Sequence, residues 1–330
     1  MHALTPPPIA VLGAGSWGTA LAMLLARNGQ VVHLWDRNTA LLESLAKDRM
    51  NTRYLPGMPL PEGLVVCHEL SEALDAIQDI LIVVPSHAFG EALKTIQPFL
   101  SEEHRLIWAT KGLEPETGLF FHQVLARELP KTPRYAVLSG PSFAKEVAAE
   151  IPTAVAVATK DQGFGQDLMT RFNQDNFRIT LTDDVMGVQL GGVVKNVLGV
   201  AVGISDGASF GANTRAALMV QGLTEMMRLG DALGARAETL MGLAGCGDVI
   251  LTCTDNQSRN RRFGLALAKG LTANEALNEI GQVVEAVHNV EQLCALSRTY
   301  SVRLPVAEQV LRIIKGEVSP KEAIQALFRP

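Results

Sequence analysis

Residues 8–26 constrain the fold of this chain more tightly than any other stretch. The apolar run Pro8-Ile-Ala-Val-Leu12 leads into Gly13-Ala-Gly-Ser-Trp-Gly18, and Thr19-Ala-Leu-Ala-Met-Leu-Leu-Ala26 follows directly. A short strand, a glycine turn and an apolar helix in that order open a parallel α/β sheet. In the pattern G-x-G-x-x-G each glycine has its own duty. Gly13 allows the tight turn, Gly15 lets the backbone approach a pyrophosphate, and Gly18 lets the helix lie close to the strand. The N–H groups at the start of that helix favour negative charge. The next apolar run, Val31-Val-His-Leu-Trp35, ends at Asp36, near the spacing of an acid that hydrogen-bonds a ribose. These flanks support dinucleotide binding over a chance glycine turn.

Strands and helices go on alternating to about residue 183. Further apolar runs lie at 64–67, 80–84, 106–109, 135–138, 154–158 and 177–181, with helical stretches such as 40–47, 89–96 and 119–128 between them. This order predicts a mostly parallel, doubly wound sheet of Rossmann type. The unbroken run Ile80-Leu-Ile-Val-Val84 suits a central strand buried on both faces, and the loop after Pro85 is expected to face the cofactor. From Asp184 onward helical patterns replace the strands: 185–204, then 214–233, then 237–243 before a glycine-rich turn. The expected fold is thus α/β, with an NAD(P)-binding domain over residues 1–183 and an all-α substrate-binding and catalytic domain over residues 184–330. The site is expected in the cleft between them.

Composition agrees with two globular domains. The chain has 330 residues, 47% hydrophobic and 19% charged. A net charge of −5 speaks against coating nucleic acid, which needs a basic face, but allows a local cationic pocket. The apolar stretch 187–204 is interrupted by Gln189, Lys195 and Asn196, so a buried helix fits it better than a membrane span. No basic stretch followed by an apolar one opens the chain, and no secretory leader is expected. Cys67, Cys246, Cys253 and Cys294 form no C-x-x-C pair and no zinc-like cluster. Reduced thiols in a cytoplasmic protein, and no metal, are the expectation.

Several residues point to chemistry. Lys195 sits on an otherwise apolar helix; lysine is seldom buried alone, and desolvation would tune it toward a general base. A lysine snorkelling to the surface is the alternative. Lys111 follows a strand in Ile107-Trp-Ala-Thr-Lys111, where it would polarise a carbonyl or hold an anion, or else be an ordinary loop lysine. Ser139-Gly-Pro-Ser-Phe-Ala144 offers a hydroxyl and backbone N–H groups after another strand, though a structural Gly-Pro turn reads the same. Ser258, Arg259 and Asn260 combine a hydroxyl, a planar cation and an amide, which fits phosphate, with a solvated basic turn through Arg261 and Arg262 as the alternative. Asp248, in Gly245-Cys-Gly-Asp248, would orient Lys195 or a substrate hydroxyl, or close an Asx turn.

These segments occur in one order along nearly the whole chain: Gly13-Ala-Gly-Ser-Trp-Gly-Thr-Ala20, Lys111-Gly-Leu113, Ser139-Gly-Pro-Ser-Phe-Ala144, Val194-Lys-Asn-Val197, Gly245-Cys-Gly-Asp248 and Ser258-Arg-Asn260. In them the chain resembles the bacterial NAD(P)-dependent glycerol-3-phosphate dehydrogenases. The resemblance implies reversible reduction of dihydroxyacetone phosphate to sn-glycerol 3-phosphate, a phospholipid precursor. It also implies a cytoplasmic homodimer that uses NADH or NADPH. Lys195 is then the catalytic proton acceptor in oxidation and the proton donor in reduction. Lys111, Gly140, Ser142, Lys195, Asp248, Ser258, Arg259 and Asn260 would contact substrate. Ser16, Trp17, Arg37, Lys111, Ala144, Arg259, Val283 and Glu285 would contact the cofactor beside the Gly13, Gly15 and Gly18 turn. Asp36 suits the ribose hydroxyls of NADH, while Arg37 suits the 2′-phosphate of NADPH.

Two rival readings remain. A dehydrogenase of the same layout acting on a β-hydroxyacid or sugar acid would also use a helix lysine, but Ser258-Arg-Asn260 favours a phosphorylated triose. A nucleotide-sensing protein without catalysis has no need of Lys195 on an apolar helix.

Overall fold

The structure, a computed structural model, describes residues 7–329. The residues before Pro7, on which the reading of the N-terminus rests, lie outside the described ones. Eight strands form one sheet: β1 (Ile9–Leu12), β2 (Val32–Trp35), β3 (Leu64–Val66), β4 (Asp79–Ile82), β5 (Arg105–Trp108), β6 (Arg134–Ser139), β7 (Thr153–Ala158) and β8 (Phe177–Thr182). Their spatial order is β3-β2-β1-β4-β5-β6-β7-β8. Each apolar run of the first half is a strand, and the α/β class read from them is the one found. β1, β4 and β5 are buried along their whole length, as strands covered on both faces must be.

From β3 across to β6 all neighbours pair parallel, while β7 runs antiparallel to β6 and β8 returns parallel to β7. The connections explain the switch. Between β6 and β7 lies only the five-residue helix Ala144–Ala148, about 8 Å long, too short to carry the chain back along a strand of about 20 Å. The helix Gln162–Phe172 between β7 and β8 is long enough for a crossover. The strand order reverses between β1 and β4, so the carboxyl ends of these two strands mark the switch point where open α/β sheets take ligands.

The described residues form two compact units. One runs to Thr110 and resumes over Phe121–Val185; the other comprises Lys111–Phe120 and the chain from Met186 onward. The boundary therefore lies at 185/186, two residues past the expected one, with one excursion of ten residues. Leu113 and Phe120 account for the excursion, because both are buried in the core of the helical unit.

The helical unit is built around Val185–Gly207, which holds seven valines and six glycines among its 23 residues. Such residues are poor helix formers in isolation; burial sustains this helix. Among the described residues it is the one helix long and apolar enough to cross a membrane, and it is buried inside the unit. Around it lie Ala212–Leu233, Ala237–Leu240, Asp248–Thr254, Arg259–Ala268, Ala273–Ile280, Glu285–Thr299, Pro305–Ile314 and Pro320–Leu327.

Candidate active site

In the sheet unit the glycine turn is explained partly by the protein itself. Gly13 has φ +110°, and a Cβ there would sit 2.3 Å from the Val83 carbonyl oxygen; a Cβ on Gly18 would sit 1.8 Å from the Gly13 carbonyl oxygen. A Cβ on Gly15 would meet no protein atom within 4 Å. Packing thus requires glycine at 13 and 18 but not at 15, which caps the following helix and leaves open space in front of it. Gly15 is followed at once by the helix Ser16–Arg27, whose first residues are Ser16 and Trp17.

Asp36 accepts hydrogen bonds from Ala14 N at 2.7 Å and Asn38 N at 2.9 Å, fastening the turn to the end of β2. Arg37 beside it is exposed, with no side-chain partner among the described residues. The sequence reading missed Asn51 and Tyr54. Asn51 Nδ2 donates to the Ala14 carbonyl at 2.9 Å, and Ser16 Oγ donates to the Tyr54 carbonyl at 3.0 Å. At the carboxyl end of β6, Gly140 has φ +149°, Ser142 Oγ donates to the Gly140 carbonyl at 2.9 Å, and Ala144 opens the short helix.

The helical unit brings Lys111, Lys195 and Asp248 together. Lys111 Nζ lies 2.5 Å from Asp248 Oδ2, and Lys195 Nζ lies 3.6 Å from Asp248 Oδ1. Lys195 Nζ also donates to Thr252 Oγ1 at 3.3 Å, and that hydroxyl points on to Asp248 Oδ1 at 3.4 Å. Thr252 was not singled out from sequence, although it follows Asp248 by four residues on one helix and so shares its face. Asp248 is almost wholly buried, and it begins a helix rather than closing an Asx turn.

Lys195 is accommodated by a stripe of glycines. Gly191, Gly199 and Gly203 stand four or eight residues from it on the same helix face. A Cβ at Gly191 would lie 2.2 Å from the Ala244 carbonyl oxygen, and one at Gly203 2.2 Å from that of Arg261. The helix therefore meets the 244–261 segment backbone to backbone, and Lys195 is the long side chain set within that contact. Before Asp248 the chain makes a wider π turn at Leu243–Gly247. Burial pushes the Lys195 amine down from 10.5 to about 8; Asp248 opposes this, while Lys111 and Arg259 add to it. An amine lowered this far can act as a base near neutral pH.

Ser258, Arg259 and Asn260 open the helix Arg259–Ala268. Ser258 Oγ caps it by accepting from Arg261 N at 3.2 Å and keeps its own proton to donate. Asn260 joins three helices, giving Nδ2 to Asn196 Oδ1 at 2.8 Å and receiving Ala286 N at 3.2 Å. Arg261 is no solvated basic residue. Its guanidinium pairs with Asp206 at 2.6 Å and donates to the Cys253 carbonyl at 3.0 Å, which fixes the turn and leaves Arg259 exposed. Val283 and Glu285, both half-buried, lie at the start of Glu285–Thr299.

Comparison with known proteins agrees with this layout. The model of the NAD-dependent glycerol-3-phosphate dehydrogenase N-terminus matches residues 8–165, and that of its C-terminus matches residues 184–325. The chain is 49% identical over 322 residues to the glycerol-3-phosphate dehydrogenase (NAD(P)+) of Haemophilus ducreyi, covering 97% of this chain and 96% of that one. It is 50% identical over 325 residues to the protein of the same description from Thioalkalivibrio sulfidiphilus, covering 98% of each. The crystal structure of glycerol-3-phosphate dehydrogenase from Coxiella burnetii matches with a TM-score of 0.95 at 47% identity, over 99% of this chain and 100% of that one.

Proposed function

The chain belongs to the NAD-dependent glycerol-3-phosphate dehydrogenase family, and from that premise we propose that it interconverts dihydroxyacetone phosphate and sn-glycerol 3-phosphate with NADH or NADPH, supplying glycerophospholipid synthesis. The observation that carries the reading is the largely buried Lys195 amine, lowered to about 8 by desolvation and set beside Asp248 and Lys111. A binding protein without catalysis has no use for it.

The residues of the sheet unit suit a nicotinamide dinucleotide. Gly15 leaves room for a pyrophosphate against the helix that Ser16 and Trp17 begin. Arg37 suits the 2′-phosphate of NADPH, and Asp36 keeps lone pairs for a ribose hydroxyl. Gly140, Ser142 and Ala144, with Val283 and Glu285, complete the proposed contacts. Hydride exchange at the carbonyl carbon is the chemistry such a cofactor supplies when bound.

The protein's own residues supply the rest. In oxidation neutral Lys195 takes the hydroxyl proton; in reduction its ammonium returns one to the nascent alkoxide. Lys111, anchored on Asp248, stabilises negative charge on the same oxygen. Arg259, the Ser258 hydroxyl, the second Nδ2 hydrogen of Asn260 and the first N–H groups of Arg259–Ala268 make a phosphate grip. Binding energy gathered there orients the reacting carbon. We place the enzyme in the cytoplasm, where its four free cysteines suit a reducing compartment. We read it as a homodimer, as the family resemblance implies.

Arg259→Ala tests the substrate assignment. Reduction of dihydroxyacetone phosphate should fall severely in kcat and affinity, while the slow reduction of unphosphorylated dihydroxyacetone barely changes, both at saturating cofactor. Equal proportional losses with the two ketones would remove the phosphate grip from this reading.

A further inference from the structure

Lys111 stands at the head of the ten-residue excursion that the chain makes into the helical unit, and side chains of the helix Glu285–Thr299 grip the backbone of that excursion. Asn289, fully buried on that helix, accepts from Leu113 N at 3.0 Å. Its amide also lies against Gly112, where φ is +128° and a Cβ would come within 2.8 Å of Asn289 Oδ1. One turn further on, Gln292 donates to the Pro115 carbonyl, and a Cβ on Gly118 would come within 2.8 Å of Gln292 Oε1. The loop also closes on itself, with Glu114 N donating to the Leu119 carbonyl at 3.0 Å and Gly118 N to that of Glu114 at 2.8 Å. The backbone just after Lys111 is therefore gripped by two side chains from one face of one helix.

We propose that Asn289 is a positioning residue for the reaction, holding the Gly112-Leu113 backbone so that the Lys111 ammonium is delivered to Asp248 beside Lys195. A lysine stem is flexible, and its charge is useful only where its root is fixed. Asn289 acts at that root, two residues from Lys111, on an N–H that no regular strand or helix would otherwise employ. The contact with Gly112 adds register, since the amide plane and the glycine backbone exclude any other side chain between them. Leu113 carries the same anchor into the core. Gln292 is the secondary clamp, because it holds the far side of the loop.

The inference rests on the role given to Lys111 above, and a double-mutant cycle separates the two. Asn289→Leu, Lys111→Met and the double variant are compared for kcat/KM with glycerol 3-phosphate across pH, with thermal unfolding and NADPH titration as controls on folding and cofactor binding. Asn289→Leu should lower kcat/KM roughly ten- to a hundredfold, the scale of an ångström-sized misplacement. It should also shift the pH midpoint upward, as Lys111→Met does. The groups facing Lys195 are Asp248, Lys111 and Arg259, and withdrawing the cation Lys111 leaves Asp248 to favour the ammonium. In the Lys111→Met background the Asn289 substitution should have almost no further effect.

An equal loss in both backgrounds, or an unmoved pH midpoint, would overturn the positioning role while leaving Lys111 in the site. Lys111→Met with unchanged kcat/KM would remove both. If Asn289→Leu does not fold, Asn289→Ser, too short to reach Leu113 N, runs the same cycle, and the same results would support or overturn the role.

Discussion

Each unit gathers cations around a buried aspartate, Asp79 in the sheet unit and Asp248 in the helical unit, and these two clusters differ in grip. In the sheet unit Asp79 receives Arg105 through two bonds, of 2.5 and 2.7 Å, and Arg171 at 2.9 Å. Asp79 and Arg105 face each other as the first residues of β4 and β5, at the edge of the sheet opposite the glycine turn. In the helical unit Asp248 receives Lys111 at 2.5 Å but Lys195 only at 3.6 Å. A guanidinium offers a planar fork that matches a carboxylate and stays charged under all ordinary conditions. A cluster of that kind holds strands in register. A lysine is a point charge that burial can bring to neutrality. A cluster containing a loosely held lysine can give up and take back a proton, so the same ingredients make a lock in one unit and, in the function proposed above, a site in the other.

The largest expected effect lies on the loose side of the comparison. Lys195→Met should bind cofactor and fold normally yet lose about 10²–10⁴-fold in kcat, the usual consequence of removing a positioned general base. The wild-type rate of glycerol 3-phosphate oxidation should rise with pH through about 8, as the amine loses its proton. Stability carries the matching sign. The folded pKa lies near 8 and the ordinary value is 10.5, so between them the unfolded chain binds more protons and stability rises with pH. Below pH 8 the folded protein bears the full penalty of a buried ammonium. Lys195→Met should therefore gain most in melting temperature at about pH 7 and least near about pH 10. A kcat loss under about tenfold at every pH would show that the base is elsewhere.

On the tight side, Asp79→Asn should act in the opposite way. It leaves two buried guanidiniums short of a carboxylate, a change that typically destabilises by about 3–5 kcal/mol. Asp167, 2.5 Å from Arg105, softens the loss. The urea midpoint should fall, while kcat per folded molecule at about 25 °C stays within about twofold, since removing a structural pair leaves no transition-state contact missing. A large kcat loss in a variant of unchanged midpoint would erase the distinction between the clusters.

The two clusters also differ in how far the sequence announced them. The strands were legible because a doubly covered sheet writes itself as unbroken apolar runs, such as Ile80 to Val84. Lys195 and the Gly13–Gly18 turn stood out because each breaks or punctuates such a run. Asp79 and Arg105 did not, since a charge at a strand end looks the same whether solvated or paired across the sheet. Strand direction was equally silent: periodicity is identical up and down, so the antiparallel step from β6 to β7 depends on connection length. Asn289 and Gln292 were hidden for another reason. Their partners are backbone groups 176 and 177 residues away in sequence, and side-chain type carries no trace of that. The 258–261 segment, proposed above to grip a phosphate, carries two arginines that the sequence does not tell apart. Arg259 is exposed, as a cation proposed to grip a phosphate must be, whereas Arg261 looks the same in sequence and is an internal strut on Asp206.

The smallest effect concerns the hydroxyl between the two partners of the loose cluster. Thr252 Oγ1 accepts from Lys195 Nζ at 3.3 Å and points to Asp248 Oδ1 at 3.4 Å, both long for hydrogen bonds. Thr252→Val keeps the shape and removes the hydroxyl. A neutral hydrogen bond contributes about 0.5–1.5 kcal/mol, so kcat should fall only about two- to tenfold, with NADPH affinity unchanged. The ammonium form loses an acceptor while Asp248 stays where it is. The pH midpoint of oxidation should therefore drift downward, opposite to the shift expected when Lys111 is withdrawn. Steady-state kinetics between about pH 6 and 10 would read both the size and the direction. A loss as deep as that of Lys195→Met would mean that the proton travels through the hydroxyl. Thr252 would then belong to the chemistry itself, and the 3.6 Å gap between Lys195 and Asp248 would be a relay rather than slack.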